Sequence, residues 1–405
     1  MTRDVDVAIV GAGQAGLATS WHLTQAGVEH VVLEAGRVAE TWRSRRWDSF
    51  CLVTPNWGVE LPGARYDGPD PDGYMPLGEL IDYFGAWATS FHAPVREHVT
   101  VSALEQDGSD FILTLPEGKL SARSVVVATG GYQRAHRPPG ADKLPRGVHQ
   151  ILAEDYRNPD DVPPGAVLVV GSGQTGCQLA LELHRAGRPV FLACGRAPWT
   201  PRRFEGRDFV AWSSESGWLD RPAAALPSPA ARLVANVQAS GNHGGRDLNY
   251  RTLHGEGVEL LGRYAGAEGS VLHFADDLAT SVDFGDARLQ EMLNSINSHC
   301  AATGRPPLEF EFPEPLRIRT RAELDVVESN IQAVIWTSGY RPAYGWIKLP
   351  IFDDMGFPMQ TDGCSTIPGL YFMGVPWLRK FKSAILYGVG EDAQVVTRKI
   401  IESRA

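Results

Sequence analysis

Two glycine fingerprints in one chain constrain its fold more than any other feature. The first reads Gly11-Ala12-Gly13-Gln14-Ala15-Gly16, the second Gly171-Ser172-Gly173-Gln174-Thr175-Gly176. Each follows a largely apolar, β-branched run, Val5 to Val10 and Val167 to Val170. Each opens a segment of helical period that ends in Ala-Gly (Ala26-Gly27 and Ala186-Gly187) and leads into a second apolar strand. In such a unit the first Gly permits a tight turn, the second lets backbone approach a pyrophosphate, and the third lets helix and strand pack closely. The pyrophosphate sits on the helix N-terminus, where free N–H groups and the dipole favour negative charge. A lone copy is weak evidence. Two copies in register, each with strand, helix and strand, predict an α/β chain with two Rossmann-like dinucleotide-binding domains.

The ends of the second strands separate the two ligands. Val31-Val32-Leu33 ends in Glu34, followed by Ala35. An acid there accepts hydrogen bonds from a ribose diol and repels a 2′-phosphate, which suits FAD or NAD. The matching position in the second unit is Cys194, with Gly195-Arg196 after it and Arg202 and Arg203 nearby. A lost acid and a gained arginine suit a 2′-phosphate, because Arg grips phosphate bidentately. The expected cofactors are therefore FAD at the first site and NADPH at the second. Arg196 is the first choice for the phosphate; Arg202 is a second candidate, and it and Arg203 fit a solvated loop equally well.

Composition sets limits on partners. The 405 residues exceed one ordinary core, so more than one domain is expected. A net charge of −10 argues against nucleic acid and against an anionic membrane surface. No apolar run approaches membrane-span length, and the chain enters its first strand without a signal-peptide core. The five cysteines are scattered and never in C-x-x-C spacing, which fits a reducing cytoplasm and argues against a redox dithiol. No His/Cys group has metal-site spacing. The expected partners are a small-molecule substrate and O₂, with a homodimer as an option.

Residues 36–75, rich in Trp, Arg, Gly and Pro, read as a long functional loop. Trp199 to about Leu261 reads as an irregular insertion covering the active site. The strand Ser124–Ala128 runs into Thr129-Gly130, and Val334–Trp336 runs into Thr337-Ser338-Gly339. These two stretches flank the second unit and are expected to be paired crossings between domains. On that layout residues 1–160 and 316–405 form the FAD domain, and 161–315 form an inserted NADPH domain with a lid-like segment at 199–261. The final helix starts near Gly388–Gly390, where its N-terminus would face the flavin ring. Trp212, Trp218, Trp377 and Tyr387 are candidates for pocket wall or core.

The chain resembles the flavin-containing monooxygenases and their bacterial flavoprotein relatives over nearly its whole length. The carriers are Gly11–Gly16 with Glu34, Trp42-Arg43, Ala128-Thr129-Gly130, Tyr156–Pro159, Gly171–Gly176, Gly195-Arg196, Ser338-Gly339-Tyr340-Arg341-Pro342 and Gly388-Val389-Gly390. The resemblance implies that NADPH reduces FAD, that O₂ then forms a C4a-hydroperoxyflavin, and that one oxygen passes to an amine, sulfide or carbonyl. An NADPH-dependent reductase using an external acceptor is the alternative. The resemblance also implies that Trp42 and Arg43 reach FAD and that an Asn stands near the flavin ring; the family's place for it is Val53 here, and Asn56, just after Pro55, is the candidate. The family fingerprint is altered: Tyr156 holds its last position, and Leu152 stands where the family keeps His.

Overall fold

The computed structural model describes residues 3–404. Two sheets organise it, the first mixed around a parallel centre and the second all parallel. The first has nine strands among the described residues. At its centre Val5–Val10 pairs in parallel with His30–Leu33 on one side and Gly118–Val127 on the other. Leu370–Phe372 extends the sheet beyond Gly118–Val127. Val7–Val10 is buried throughout, as expected for a parallel strand covered on both faces. The helices Gln14–Gln25 and Val389–Glu402 pack together on this sheet.

The second sheet has five strands, all parallel: His149–Leu152, Ile331–Trp336, Ala166–Val170, Val190–Ala193 and Glu259–Leu261, in that spatial order. Helix Gln174–Arg185 follows Ala166–Val170, repeating the first unit. Two of these strands lie outside the range expected for an inserted domain. His149–Leu152 precedes residue 161 and Ile331–Trp336 follows residue 315, yet both pair in the second sheet. The break after 160 is thus too late and the break at 316 too early. The punctuated stretch around Pro159 is only a turn, capped by the Asn158 side chain accepting from the Asp160 and Asp161 amides.

The crossings lie where the Thr-Gly stretches are. Arg134–Ala135 and Tyr340–Arg341 pair with each other antiparallel. Ser338 Oγ donates to the His136 carbonyl at 2.6 Å, and the His136 amide donates to the Gly339 carbonyl at 2.9 Å.

The insertion is a folded layer. Trp199, Phe204, Phe209, Trp212 and Leu219 form a core with Leu289, Met292, Leu293 and Ile296 of the helix Leu278–Ala302. Its last residues, Glu259–Leu261, belong to the second sheet, so the irregular segment ends before them. No helix among the described residues is long and apolar enough to cross a membrane.

Candidate functional site

In the first cradle the three glycines have three different surroundings. Gly11 has φ +108°, and a Cβ there would stand 2.6 Å from the Ala128 carbonyl oxygen. A Cβ on Gly16 would run into the Gly11 carbonyl. A Cβ on Gly13 would meet nothing within 4 Å. The turn is thus locked against the protein at both ends and open at its middle. The helix starts at Gln14 with no side-chain cap, and its first backbone bond runs from the Leu17 amide to Gly13. The amides of Gln14, Ala15 and Gly16 precede that bond and have no intrahelical partner.

Other predicted residues gather round this turn. The Glu34 carboxylate accepts from the Ala12 amide at 2.7 Å and the Gly36 amide at 2.9 Å, with Ala35 exposed beside it. Gly130 and Gly374 close in on Ala15: a Cβ on Gly374 would lie 2.9 Å from the Ala15 methyl and 4.0 Å from Gly130 Cα. Thr129 Oγ1 accepts from Gln133 at 3.0 Å. The Gln14 side chain donates to the Ala384 carbonyl at 2.8 Å, tying the turn to the segment before the final helix. Trp42 and Arg43 lie on the short helix Glu40–Ser44. Arg43 Nε donates to the Val38 carbonyl at 2.9 Å, and the Trp42 ring packs on Phe50.

The second cradle has the same backbone and different dressing. Gly171 has φ +104°, and a Cβ there would sit 2.6 Å from the Thr337 carbonyl oxygen. Gly176 again packs on the first Gly of its turn. Ser172 takes the place of Ala12. Its hydroxyl accepts from the Gly195 amide at 2.8 Å and bonds the Tyr250 hydroxyl at 2.5 Å. A hydroxyl pair thus ties turn to strand end where the Glu34 carboxylate does so in the first unit. Cys194 is fully buried, and burial holds its thiol far above the ordinary range. It neither charges nor reaches solvent.

The middle glycine of this cradle is not open. A Cβ on Gly173 would lie 3.0 Å from the Ala235 methyl. The insertion lies along the turn here. Gln174 donates to the Val237 carbonyl at 3.2 Å, Gln178 to Ala239 at 3.0 Å, and Gln238 to Ser172 at 2.7 Å. Thr175 stands half-buried at the start of the helix. Ser172, Tyr250 and Gln238 carried no sequence signal, because each acts across more than 60 residues.

The two arginine candidates separate. Arg196 is exposed at the end of the second strand. Arg202 is only 2% exposed, and its guanidinium is committed to Asp208 at 2.5 Å and to the Val53 carbonyl at 2.9 Å. Its face lies 4.3 Å from the Tyr74 ring and 4.9 Å from Phe209. Burial and this ion pair take Arg202 out of the set that can grip a 2′-phosphate. Arg203 donates to the Gly244 and Gly245 carbonyls.

The long loop, the insertion and the segment just before the final helix converge on one cleft of about 780 Å³. Trp57, Arg203, Arg207, Ser214 and Tyr387 are among its walls. Trp57 meets Tyr387 edge-on at 6.0 Å, and Tyr387 shares a hydrogen bond with Ser214 at 2.5 Å. Arg207 and then Arg305 hold the Glu215 carboxyl down at about 2, so the cleft keeps this charge paired at neutral pH. Asn56, next to Trp57, is buried. Its Nδ2 donates to the Asp70 carbonyl at 2.9 Å, and its Oδ1 has no hydrogen-bond partner among the described residues. The loop then runs along the final helix: Pro62 lies 3.3 Å from where a Gly390 Cβ would stand. That helix is Val389–Glu402, capped by Gly388 without a side chain. Its first turn already carries Glu391 and Asp392, matched by Lys382 at 2.6 Å and Arg379 at 3.1 Å. Of the aromatic candidates, Tyr387 lines the cleft. Trp212 belongs to the core, its indole N–H donating to the Phe204 carbonyl. Trp218 packs under Arg221. Gly339 lies exposed at the crossing.

Residues 8–208 match the model of the pyridine nucleotide-disulphide oxidoreductase family. An uncharacterised CzcO-like oxidoreductase of Geobacillus kaustophilus is 30% identical over 404 residues, covering 99% of each chain. The chain belongs to the same family of oxidoreductases as this CzcO-like relative. An indole-3-pyruvate monooxygenase of Oryza sativa is 33% identical over 195 residues, 43% of this chain and 44% of its own length. The fold is that of a flavin-containing monooxygenase from Stenotrophomonas maltophilia, at TM-score 0.68 and 19% identity over 99% of both chains. Family membership explains the pairing of two nucleotide cradles, and it makes the dressing around them the informative part.

Proposed function

We propose that the chain is an NADPH- and O₂-dependent FAD monooxygenase that places one oxygen atom on a small organic substrate. The observation that carries this reading is the convergence of buried Asn56, Trp57 and Tyr387 at the start of the final helix. Tyr387 lines the cleft, and Gln14 of the first cradle bonds the Ala384 carbonyl three residues before it.

The residues present fit FAD in the first cradle. The open space at Gly13 and the unpaired amides of Gln14–Gly16 suit a pyrophosphate, and Glu34 suits the ribose. Ala128, Thr129, Gly130, Trp42, Arg43, Gly388 and Gly390 would border the rest. The second cradle fits NADPH more tightly. Gly171, Gly173, Gln174, Thr175 and Gly176 would take its pyrophosphate, with Ala235 bounding the space, and exposed Arg196 would take the 2′-phosphate. Gly339 would stand at the passage between cradles. Bound flavin supplies the hydride acceptor and the reaction with O₂.

The chain's own residues do the rest. The Asn56 amide offers an unpaired buried acceptor beside the ring's expected place. Trp57, Tyr387 and Ser214 form a wall joining loop, insertion and helix, which excludes water from the reacting atoms. The five free cysteines suit a reducing cytoplasm.

The test is isotopic. Purified protein with FAD, NADPH and ¹⁸O₂ is supplied with a panel of amines, sulfides and ketones. One ¹⁸O per product molecule supports the proposal. NADPH consumption with every electron recovered in H₂O₂ or an added dye, and no labelled product, favours a reductase with an external acceptor.

NADPH should be preferred over NADH. Arg196→Ala should raise the NADPH dissociation constant roughly tenfold to a hundredfold, the range for one charge-assisted phosphate contact. NADH binding should change little. Equal losses with both coenzymes would show that Arg196 does not read the phosphate.

A further inference from the structure

One cation between the two sheets has no role in the assignments above. Arg46 follows the Trp42-Arg43 pair. Its guanidinium stands 4.8 Å from the Trp42 ring centre and 5.7 Å from that of Phe50. Its single side-chain hydrogen bond goes to the Arg45 carbonyl at 2.8 Å. No carboxylate is paired with it among the described residues. The nearby Glu154 is taken by Arg45 at 3.1 Å. A guanidinium offers five N–H donors in a planar fork, so most of its capacity is free.

The groups facing it belong to the passage between cradles. Tyr132 follows Gly130-Gly131 at the first crossing, and Tyr340 follows Gly339 at the second. Their rings lie 5.2 Å apart, and both lie within electrostatic reach of the Arg46 guanidinium. Tyr132 is 45% exposed, unusual for so large a ring. Its hydroxyl accepts from Asn236 Nδ2 at 2.8 Å. Ala235, next in the chain, is the residue that borders Gly173. Exposed phenol and amide therefore meet beside the second cradle, with the free cation within electrostatic reach.

A dinucleotide must use this passage. On the NADPH reading its adenosine end would lie at the strand end near Arg196, and its pyrophosphate would cross the glycine turn. Its nicotinamide must then reach a flavin held by the other sheet. We propose that Arg46 binds the nicotinamide-side phosphate of NADPH, with Tyr132 and Asn236 beside the adjoining ribose. This rests on the NADPH reading of the second cradle. Before coenzyme arrives, the Trp42 and Phe50 rings hold the cation in place. When it arrives, the fork takes two phosphate oxygens.

Binding to the FAD-loaded protein tests this, with NADP⁺ and adenosine 2′,5′-bisphosphate as probes. The second probe keeps the 2′-phosphate but lacks the nicotinamide-side phosphate. Arg46→Met keeps an apolar stem over Trp42 and removes the fork. Its dissociation constant for NADP⁺ should rise ~10- to 100-fold, and that for the bisphosphate should stay within about twofold. Unchanged NADP⁺ binding, or equal losses for both probes, overturns the proposal. Should Arg46→Met not retain FAD, Arg46→Lys carries the test. A threefold or greater loss confined to NADP⁺ supports the proposal, and no loss overturns it. A parent protein that binds neither probe overturns the NADPH reading itself, and this proposal with it.

Discussion

Gly13→Val should fold normally and emerge from purification without FAD. The two halves of that expectation rest on different observations. The protein leaves nothing within 4 Å of the added Cβ, so no native contact is strained. The space it enters is the one a pyrophosphate needs in order to reach the amides of Gln14–Gly16. Losing two charge-assisted bonds at ~1.5–3 kcal/mol each weakens FAD binding on the order of 10²–10⁴-fold. The neighbouring glycine supplies the contrast. Gly16→Ala drives a methyl into the Gly11 carbonyl, which is backbone and cannot move aside. That variant should lose stability whether or not FAD is present, by about 1–3 kcal/mol as an overpacked site. Flavin absorbance per protein and a thermal melt of each apoprotein separate the two cases. A yellow, FAD-loaded Gly13→Val would place the pyrophosphate elsewhere, and the first-cradle assignment would fall.

What the sequence made legible follows from what glycine uniquely permits. Gly11 and Gly171 adopt positive φ, and Gly16 and Gly176 admit close backbone approach; no other residue type does both, so the motif survives as text. The crossings were legible for a related reason, since Thr129-Gly130 and Thr337-Ser338-Gly339 end apolar strands in equivalent ways. The domain limits were not. His149–Leu152 and Ile331–Trp336 are ordinary short strands, and which sheet they join depends on partners far along the chain. The dressing of the second cradle was hidden for the same reason. Nothing local in Gln238 or Tyr250 says that each reaches Ser172, and nothing in Ala235 says that it borders Gly173. Arg202 shows the opposite failure. Its position after the second strand suggested a phosphate ligand, while its surroundings, Asp208, Tyr74 and Phe209, made it a buried bolt.

That bolt should be among the most sensitive positions in the molecule. Arg202→Met removes one partner of a buried ion pair and leaves Asp208 with only the Tyr74 hydroxyl at 2.6 Å and the Val210 amide at 2.8 Å. An uncompensated buried charge costs about 3–5 kcal/mol. Adding Asp208→Asn removes that charge, so the double variant should be more stable than Arg202→Met alone, against the additive expectation for independent sites. The consequence reaches the cleft. Arg202 joins the insertion to the Val53 carbonyl, three residues before Asn56 in the chain. Loosening that joint separates the insertion from the loop and admits water to the reacting atoms. Under conditions where Arg202→Met is still folded, H₂O₂ released per NADPH without substrate should therefore rise, while FAD content holds. Denaturant titration and a peroxide assay read the two effects separately. An unfolding free energy within ~1 kcal/mol of the parent would show that the ion pair does not hold the layers together. Lost stability with unchanged peroxide would show that the insertion is fastened here but does not seal the cleft.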